Sequence, residues 1–138
     1  MRLRKNTKIE LIKATPLFAR CTRAELTALA AEADELPVPA GKALTRQGDR
    51  GREFMVLVEG TAEVARNGSR INELGPGDFI GEIALLTGSP RTATVTTTSD
   101  ALLLVLTDRA FRRVVDRMPT VQDRVVAALA ARLAADAL

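Results

Sequence analysis

Residues 54–68 read FMVLVEGTAEVARNG, and this stretch predicts β structure. Its first five residues form an apolar run that is typical of a strand, and after the glycine Ala62 and Val64 alternate onto one face of a second strand. Asn67-Gly68 comes next, and both residues tolerate the positive φ angles of a two-residue hairpin turn. We therefore predict two strands and the start of a β-hairpin here.

Glycine placement extends this prediction along the chain. All nine glycines lie between Gly41 and Gly88. Glycine adopts the backbone angles that tight turns need, so we expect a turn-rich β region flanked by helical segments. The predicted strands are 36–38, 43–45, 54–58, 61–66, 71–74, 78–80, 91–97 and 102–106. This pattern indicates a mainly β fold with flanking helices, an eight-stranded antiparallel jelly-roll barrel over about 36–107.

Helices are predicted on both sides of the barrel. The predicted N-terminal helices, with the residues that match a capping box, are 8–14 with Thr7 and Glu10, and 23–34 with Thr22 and Glu25. The predicted C-terminal helices are 108–117 and 120–138, separated by Pro119, and Thr120 with Asp123 matches a third capping box. The last helix carries an apolar stripe at Val121, Val125, Leu129 and Leu133. That stripe fits either a homodimer contact or packing on the chain's own barrel.

Composition excludes several classes of function. The chain of 138 residues has 46% hydrophobic and 27% charged residues, which is typical of one globular domain. It has no histidine and a single cysteine, Cys21, so His-based catalysis, His metal sites and an internal disulfide are excluded. A cupin-like barrel enzyme would lack its usual metal ligands. We therefore expect a binding protein that is not an enzyme and holds no metal.

The net charge of +3 is concentrated at the N-terminus. The first 13 residues contain five basic residues and one acidic residue, which leaves the rest of the chain slightly acidic. We expect a basic arm over 1–9 that is solubilising or, as the less favoured alternative, binds nucleic acid or an anionic membrane. No apolar run is long enough to span a membrane and no signal peptide is recognisable, so we expect a cytoplasmic protein.

Residues 75–95, GPGDFIGEIALLTGSPRTATV, carry the chemistry. Gly81 predicts a turn that opens a short helix, and the first N–H groups of a helix make an anion site. Arg91 stands in a strand pattern, and its planar fork of donors fits a phosphate. Glu82 would repel that phosphate unless the ligand also offers hydroxyl groups, as a sugar phosphate does. On the residues alone, a structural Glu82–Arg91 salt bridge explains the pattern equally well.

The string GDFIGEIALL…PRTATV, at 77–86 and 90–95, resembles the phosphate-binding cassette of the cyclic nucleotide-binding domain family. That family includes the catabolite activator proteins, the regulatory subunits of protein kinase A and cyclic-nucleotide-gated channels. The PLF at 16–18, the stretch 54–60 and the terminal helices also resemble the family. The resemblance covers about 10–138 and implies that this range is one cyclic nucleotide-binding domain.

The resemblance implies contacts to the phosphate and ribose from Gly81, Glu82, Ile83, Ala84, Arg91 and Thr92. Arg91 and the amides of Ile83 and Ala84 would hold the cyclic phosphate. Glu82 would accept a hydrogen bond from the ribose 2′-hydroxyl, with the Gly81 backbone nearby. Thr92 matches a position that contacts the phosphate or the base.

The residues that match the family's base pocket are Val64, Ile71, Leu74 and, on the last helix, Asp136. Ile71 and Leu74 are three apart, so a regular strand cannot aim both inward, and ordinary barrel core explains each apolar residue equally well. An ionised Asp136 can accept from the adenine 6-amino group, which favours cAMP over cGMP. The alternative is that Asp136 forms an ion pair with Arg132, one turn earlier, on a solvent-exposed face of the helix.

The function that the resemblance implies is a stand-alone cAMP sensor without a cofactor. Ligand binding would favour one position of the two C-terminal helices over another and so signal to an unknown effector protein. The chain ends at Leu138, where the activator proteins begin their helix-turn-helix, so we expect no direct DNA binding. The alternative is a degenerate domain that acts only as a dimerisation or interaction module.

Overall fold

The structure is a computed structural model that describes residues 5–81 and 88–136. The helices are α1 (Lys5–Ala14), a 3-10 helix (Pro16–Phe18), α2 (Arg23–Glu32), α3 (Asp108–Arg117) and α4 (Pro119–Asp136). The strands are β1 (Asp34–Val38), β2 (Ala43–Thr45), β3 (Glu53–Glu59), β4 (Ala62–Arg66), β5 (Ser69–Leu74), β6 (Phe79–Ile80), β7 (Thr94–Thr97) and β8 (Ala101–Thr107).

The strands form two antiparallel four-stranded sheets in the described part of the chain. Their orders are β1-β8-β3-β6 and β2-β7-β4-β5. The prediction of a mainly β fold with flanking helices is confirmed, and each of the eight predicted strands overlaps an observed one. The predicted barrel is open, because strand pairing runs within each sheet and none of the described pairs joins one sheet to the other.

Strand β3 is buried on both faces, which explains its continuous apolar run. Met55 and Leu57 face the second sheet and belong to the inter-sheet core. Phe54 and Val56 face the opposite way, into a second core between this sheet and the helices. A strand with an alternating sequence buries only one face, whereas β3 and β8 contribute side chains to both cores. These two strands therefore lie between the inter-sheet core and the helical core.

All four phenylalanines of the chain meet in the helical core. The Phe54 ring stacks on Phe111 of α3 with a centroid separation of 4.6 Å, contacts Phe18 edge-on at 6.4 Å and lies 5.7 Å from Phe79. Aromatic rings bury large apolar areas and add orientation-dependent attraction. The 3-10 helix, the first sheet and α3 are therefore joined through one side chain of β3.

Two of the three predicted capping boxes are wrong. Thr22 and Glu25 form the predicted box at the start of α2, with both side chain to backbone bonds present. Helix α1 already includes Thr7, because it begins at Lys5. Helix α4 begins at Pro119, so Thr120 also lies inside its helix. Proline suits the first helical position, where the missing N–H has no partner to lose.

Helix α1 begins inside the predicted N-terminal arm and packs against the rest of the domain. Ile9 is 1% exposed and Ile12 is 3% exposed, both in the helical core. The arm expected over 1–9 thus includes the first half of a helix that contacts α2. Only Lys5 to Ile9 of that arm lie in the described residues.

The start of α4 is packed against the domain, whereas most of the described side chains over 122–131 are exposed. Val121, the first member of the predicted apolar stripe, is completely buried in the helical core. The side chains of Val125, Leu129 and Leu133 lie outside the described ones. Of the helices in the described residues, none is long and apolar enough to cross a membrane.

Candidate functional site

Arg91 is a buried charged residue, 8% exposed, just before β7. Its Nη1 donates to the carbonyl oxygen of Gly81 at 3.1 Å, and its Nη2 donates to the carbonyl oxygen of Glu53 at 2.7 Å. A buried charge needs partners, and these two carbonyl oxygens are among those of Arg91. Together the two bonds fix the orientation of the guanidinium.

The backbone of Arg91 also makes two hydrogen bonds. Its N–H donates to the Asp49 carbonyl at 2.8 Å, and its carbonyl accepts from the Gly48 N–H at 2.9 Å. These bonds tie residue 91 to the turn that follows β2. Strand β7 consequently begins at Thr94, three residues later than predicted, because the preceding residues follow this turn instead of the sheet ladder.

Gly81 approaches the guanidinium so closely that no other residue type fits. Its φ of +103° is in the left-handed region, and a Cβ there would lie 2.7 Å from the Glu53 carbonyl oxygen and in collision with Arg91 Nη1. Only glycine adopts this backbone without strain and leaves room for the arginine. Gly81, where the sequence predicts a turn, therefore packs directly against the Arg91 guanidinium.

Three of the predicted ligand-binding residues lie outside the described ones. These are Glu82, Ile83 and Ala84, together with the short helix predicted to begin there. Their roles, and the alternative Glu82–Arg91 salt bridge, stay predictions.

Thr92 follows Arg91 and is half-buried. Its carbonyl oxygen accepts a hydrogen bond from Arg66 Nε at 3.0 Å, which links it to the end of β4. Thr92 thus lies between the phosphate-binding candidate Arg91 and the β4–β5 hairpin. Its partner Arg66 comes two residues after Val64, one of the residues predicted for the base pocket.

The predicted base-pocket residues of β4 and β5 lie in different surroundings. Leu74 is 8% exposed and belongs to the inter-sheet core, while Val64 is half-buried against that core. Ile71 is 51% exposed. The pairing of β4 with β5 shifts register between Val64 and Ala65, so the two strands are not regular at Ile71. Asp136 is the last residue of α4, and its side chain is outside the described ones.

Sequence reasoning missed the backbone groups that hold Arg91. Asp49 and Glu53 act through their carbonyl oxygens, and every residue type has the same carbonyl. No sequence signal could have identified them. Arg66 was also missed, since an arginine at the end of a half-buried strand has no distinctive pattern.

The described part of the site offers a buried guanidinium and shows no cluster of metal-ligating side chains. Within residues 5–81 and 88–136, no group of three or more His, Cys, Asp or Glu side chains could hold a metal ion. The buried Arg91 guanidinium is a charged group of the kind that pairs with a phosphate or a carboxylate.

Comparison with known proteins gives this arrangement a family. The profile of the cyclic nucleotide-binding domain family matches residues 35–118. A cAMP-dependent protein kinase regulatory subunit of Mycosarcoma maydis is 38% identical over 118 residues. That alignment covers 79% of this chain and 22% of the subunit, so the chain spans about a fifth of that relative's length.

Solved structures share the fold. The catabolite activator protein of Thermus thermophilus has a TM-score of 0.76 and 29% identity, over 88% of this chain and 59% of that one. The regulatory domain of Toxoplasma gondii PKA with cAMP has a TM-score of 0.85 and 22% identity, over 93% of this chain and 50% of that one. With more than half of its residues matched by the family profile, this chain belongs to the cyclic nucleotide-binding domain family.

Proposed function

We propose that this domain is a sensor that binds cAMP in preference to cGMP and catalyses no reaction. The observation that carries the proposal is the buried Arg91 guanidinium, oriented by the Gly81 and Glu53 carbonyls. A fixed and desolvated guanidinium pairs strongly with a phosphate, because little orientation entropy is lost on binding. In a ligand of the cyclic nucleotide-binding domain family, that anion is the cyclic phosphate.

The phosphate and ribose contacts belong to the segment around Gly81. In this proposal Arg91 pairs with the cyclic phosphate together with the amides of Ile83 and Ala84. Glu82 accepts a hydrogen bond from the ribose 2′-hydroxyl, and the Gly81 backbone lies nearby. These roles follow the family pattern, and the position of Arg91 next to Gly81 supports them.

The base lies over the β4–β5 hairpin, beside Thr92. Ile71 is a large apolar side chain with half of its surface in water, and a purine that covers it removes that surface from solvent. In this proposal Val64 and Leu74 complete the base pocket. Val64 packs against the inter-sheet core, and Leu74 belongs to that core. Neither residue selects adenine over guanine, since both contacts are apolar.

Selectivity for cAMP is assigned to the end of α4. Asp136 would accept from the adenine 6-amino group and repel the guanine 6-oxo group. Truncation after Ala134 should therefore lower cAMP affinity and reduce its advantage over cGMP, measured by calorimetry. Unchanged affinity and unchanged preference after this truncation would remove Asp136 from the site.

The signal leaves through the C-terminal helices. The N–H of Asp108, the first residue of α3, donates to the Arg52 carbonyl at 2.8 Å, and Arg52 precedes the Glu53 that holds Arg91. A ligand that changes the surroundings of Arg91 can thus bias the position of α3 and α4, provided that it binds one arrangement better. An effector protein, in the cytoplasm, would bind one of the two arrangements.

The test of this proposal is calorimetric titration of Arg91 variants with cAMP. Arg91→Leu should weaken binding by a factor of about 30 or more, and Arg91→Lys should weaken it less because the charge is kept. Arg109→Leu, an exposed arginine on α3, is the matched control and should bind like the wild type. If Arg91→Leu melts lower but binds cAMP within a few-fold of the wild type, Arg91 is structural and the proposal fails.

A second candidate function is an interaction module that acts through α4. Val126 is 57% exposed, and Ala127 and Ala130 beside it are exposed as well, a small apolar face that a second copy of the chain could cover. Sedimentation separates the candidates. A dimer that forms without nucleotide, in a chain that binds neither cAMP nor cGMP, favours the module.

A further inference from the structure

Gln47 joins two separate parts of the candidate ligand site. Its side-chain Nε2 donates to Asn67 Oδ1 at 2.8 Å, and its Oε1 accepts from the Asn67 backbone N–H at 2.8 Å. Both ends of one amide are thus used on a residue 20 positions away. A pair of parallel hydrogen bonds fixes direction as well as distance, unlike a single bond.

One side of this contact is the turn that holds Arg91. The backbone N–H of Gln47 donates to Thr94 Oγ1 at 2.9 Å, and the next two residues, Gly48 and Asp49, bond the Arg91 backbone. Gln47 therefore belongs to the segment that sets the position of the guanidinium.

The other side of the contact is the tip of the β4–β5 hairpin. Asn67 has a φ of +53°, the only non-glycine residue with positive φ in the described residues, and its turn connects the strands that carry Val64 and Ile71. The Arg66 bond to the Thr92 carbonyl supports the same hairpin from one residue away. The ladder between β4 and β7 ends at the Ala65–Thr94 pair, and beyond it the exposed tip is joined to the Arg91 side by the side-chain bonds of Gln47 and Arg66.

We propose that Gln47 is a positioning residue that sets the distance between the phosphate-binding Arg91 and the base-binding hairpin. Gln47 does not touch the nucleotide. This inference rests on the proposed function and adds a residue to it. A ligand that binds at both ends makes both contacts in full only when Arg91 and the hairpin are already at the correct spacing. Loss of the two Gln47–Asn67 hydrogen bonds, which we call the clamp, therefore weakens binding.

The chain offers matched variants for the test. Gln47→Met keeps the length of the side chain but removes both hydrogen bonds. Asn67→Gly keeps the backbone N–H and tolerates the positive φ, but removes the Oδ1 acceptor. Gln47→Glu can still accept from the Asn67 N–H, and from the Asn67 amide after a flip, so it is the rescue variant. Gln122→Met on α4 replaces an exposed glutamine far from the site and is the control.

The measurement is the calorimetric affinity for cAMP of these variants and of Gln47→Met/Asn67→Gly, each with its melting temperature. We expect Gln47→Met to bind about 5- to 10-fold more weakly, from the loss of two hydrogen bonds that act on one spacing. The double variant should bind like Gln47→Met alone, because the two residues act through one contact. Gln47→Glu should recover most of the affinity, and Gln122→Met should match the wild type.

The outcomes separate this inference from the function on which it rests. If Gln47→Met melts lower but binds cAMP within two-fold of the wild type, Gln47 is structural only and the inference is overturned. If the losses of the two single variants add in the double variant, the residues act independently and the clamp is overturned. If the wild type itself does not bind cAMP, the proposed function fails and this inference fails with it.

Discussion

At the scale of single residues, the site depends on how closely Gly81 approaches Arg91. Gly81→Ala places a methyl group against the Glu53 carbonyl and the guanidinium, so we expect a loss of about 1–3 kcal/mol in the free energy of unfolding together with weaker cAMP binding. Gly41→Ala is the control, since Gly41 has a φ of +82° but no atom within 4 Å of the added Cβ. Urea unfolding and calorimetry measure both effects. Equal losses in the two variants would show that crowding at Arg91 contributes nothing.

Cys21 should be an unreactive thiol. Burial raises its pKa from the ordinary 9.0 to about 11, Glu25 adds to the rise and Arg124 opposes it. Only the thiolate reacts, so at pH 8 iodoacetamide should modify folded Cys21 at least about tenfold more slowly than the urea-unfolded chain. Mass spectrometry over time gives both rates. Similar rates in the two states would contradict the burial of this thiol.

Side-chain patterns in the sequence draw attention to Arg91, whereas the backbone groups that hold it give no sequence signal. Arg91 stands out among threonine and alanine, and that pattern predicts a negatively charged partner, either a phosphate or the Glu82 carboxylate. The carbonyls of Asp49 and Glu53 come together only after folding, and the clamp between Gln47 and Asn67 spans two turns that no local pattern connects. The sequence could not show which of Ile71 and Leu74 is buried, because the register shift between β4 and β5 is set by tertiary pairing.

At the scale of secondary-structure elements, the strands and two of the four described helix starts, at Arg23 and Asp108, were predictable, and the other two starts were not. Glycine turns and apolar runs indicate strands locally, and all eight were found. Thr7 and Thr120 match a capping pattern, but both lie inside their helices, and for α4 the proline at 119 occupies the first helical position. Local pattern is a weak guide where tertiary contacts select the helix end.

The stacked pair Phe54 and Phe111 should be the strongest link between the first sheet and α3. Phe111→Ala should lower the free energy of unfolding by about 3–5 kcal/mol, because a completely buried ring is lost. Phe111→Leu keeps much of the volume and should cost less, which gives a folded variant if alanine is not tolerated. Val126→Ala, at an exposed position, should change stability by less than about 0.5 kcal/mol. Chemical denaturation of all three is the measurement, and equal costs for Phe111→Ala and Val126→Ala would contradict this packing.

At the scale of the whole molecule, one sheet separates two cores with different tasks. The inter-sheet core supports the β4–β5 hairpin, and the helical core anchors α3 and the start of α4. Glu53, the first residue of β3, contacts Arg91 through its carbonyl, and Arg52 before it contacts the start of α3. The candidate ligand site and the C-terminal helices thus meet at the entry of β3.

The measurement that tests the central claim most directly is titration of the wild-type chain with cAMP, cGMP and 5′-AMP. We predict one cAMP per chain with micromolar or tighter affinity, weaker binding of cGMP, and no detectable binding of the open 5′-AMP, with all three nucleotides recovered unchanged. The chain has no tryptophan and no tyrosine, so nucleotide retained on purification should also be visible as absorbance near 260 nm. No heat with either cyclic nucleotide at concentrations up to about 1 mM would contradict the account, since a Kd weaker than that corresponds to less than about 4 kcal/mol of binding free energy.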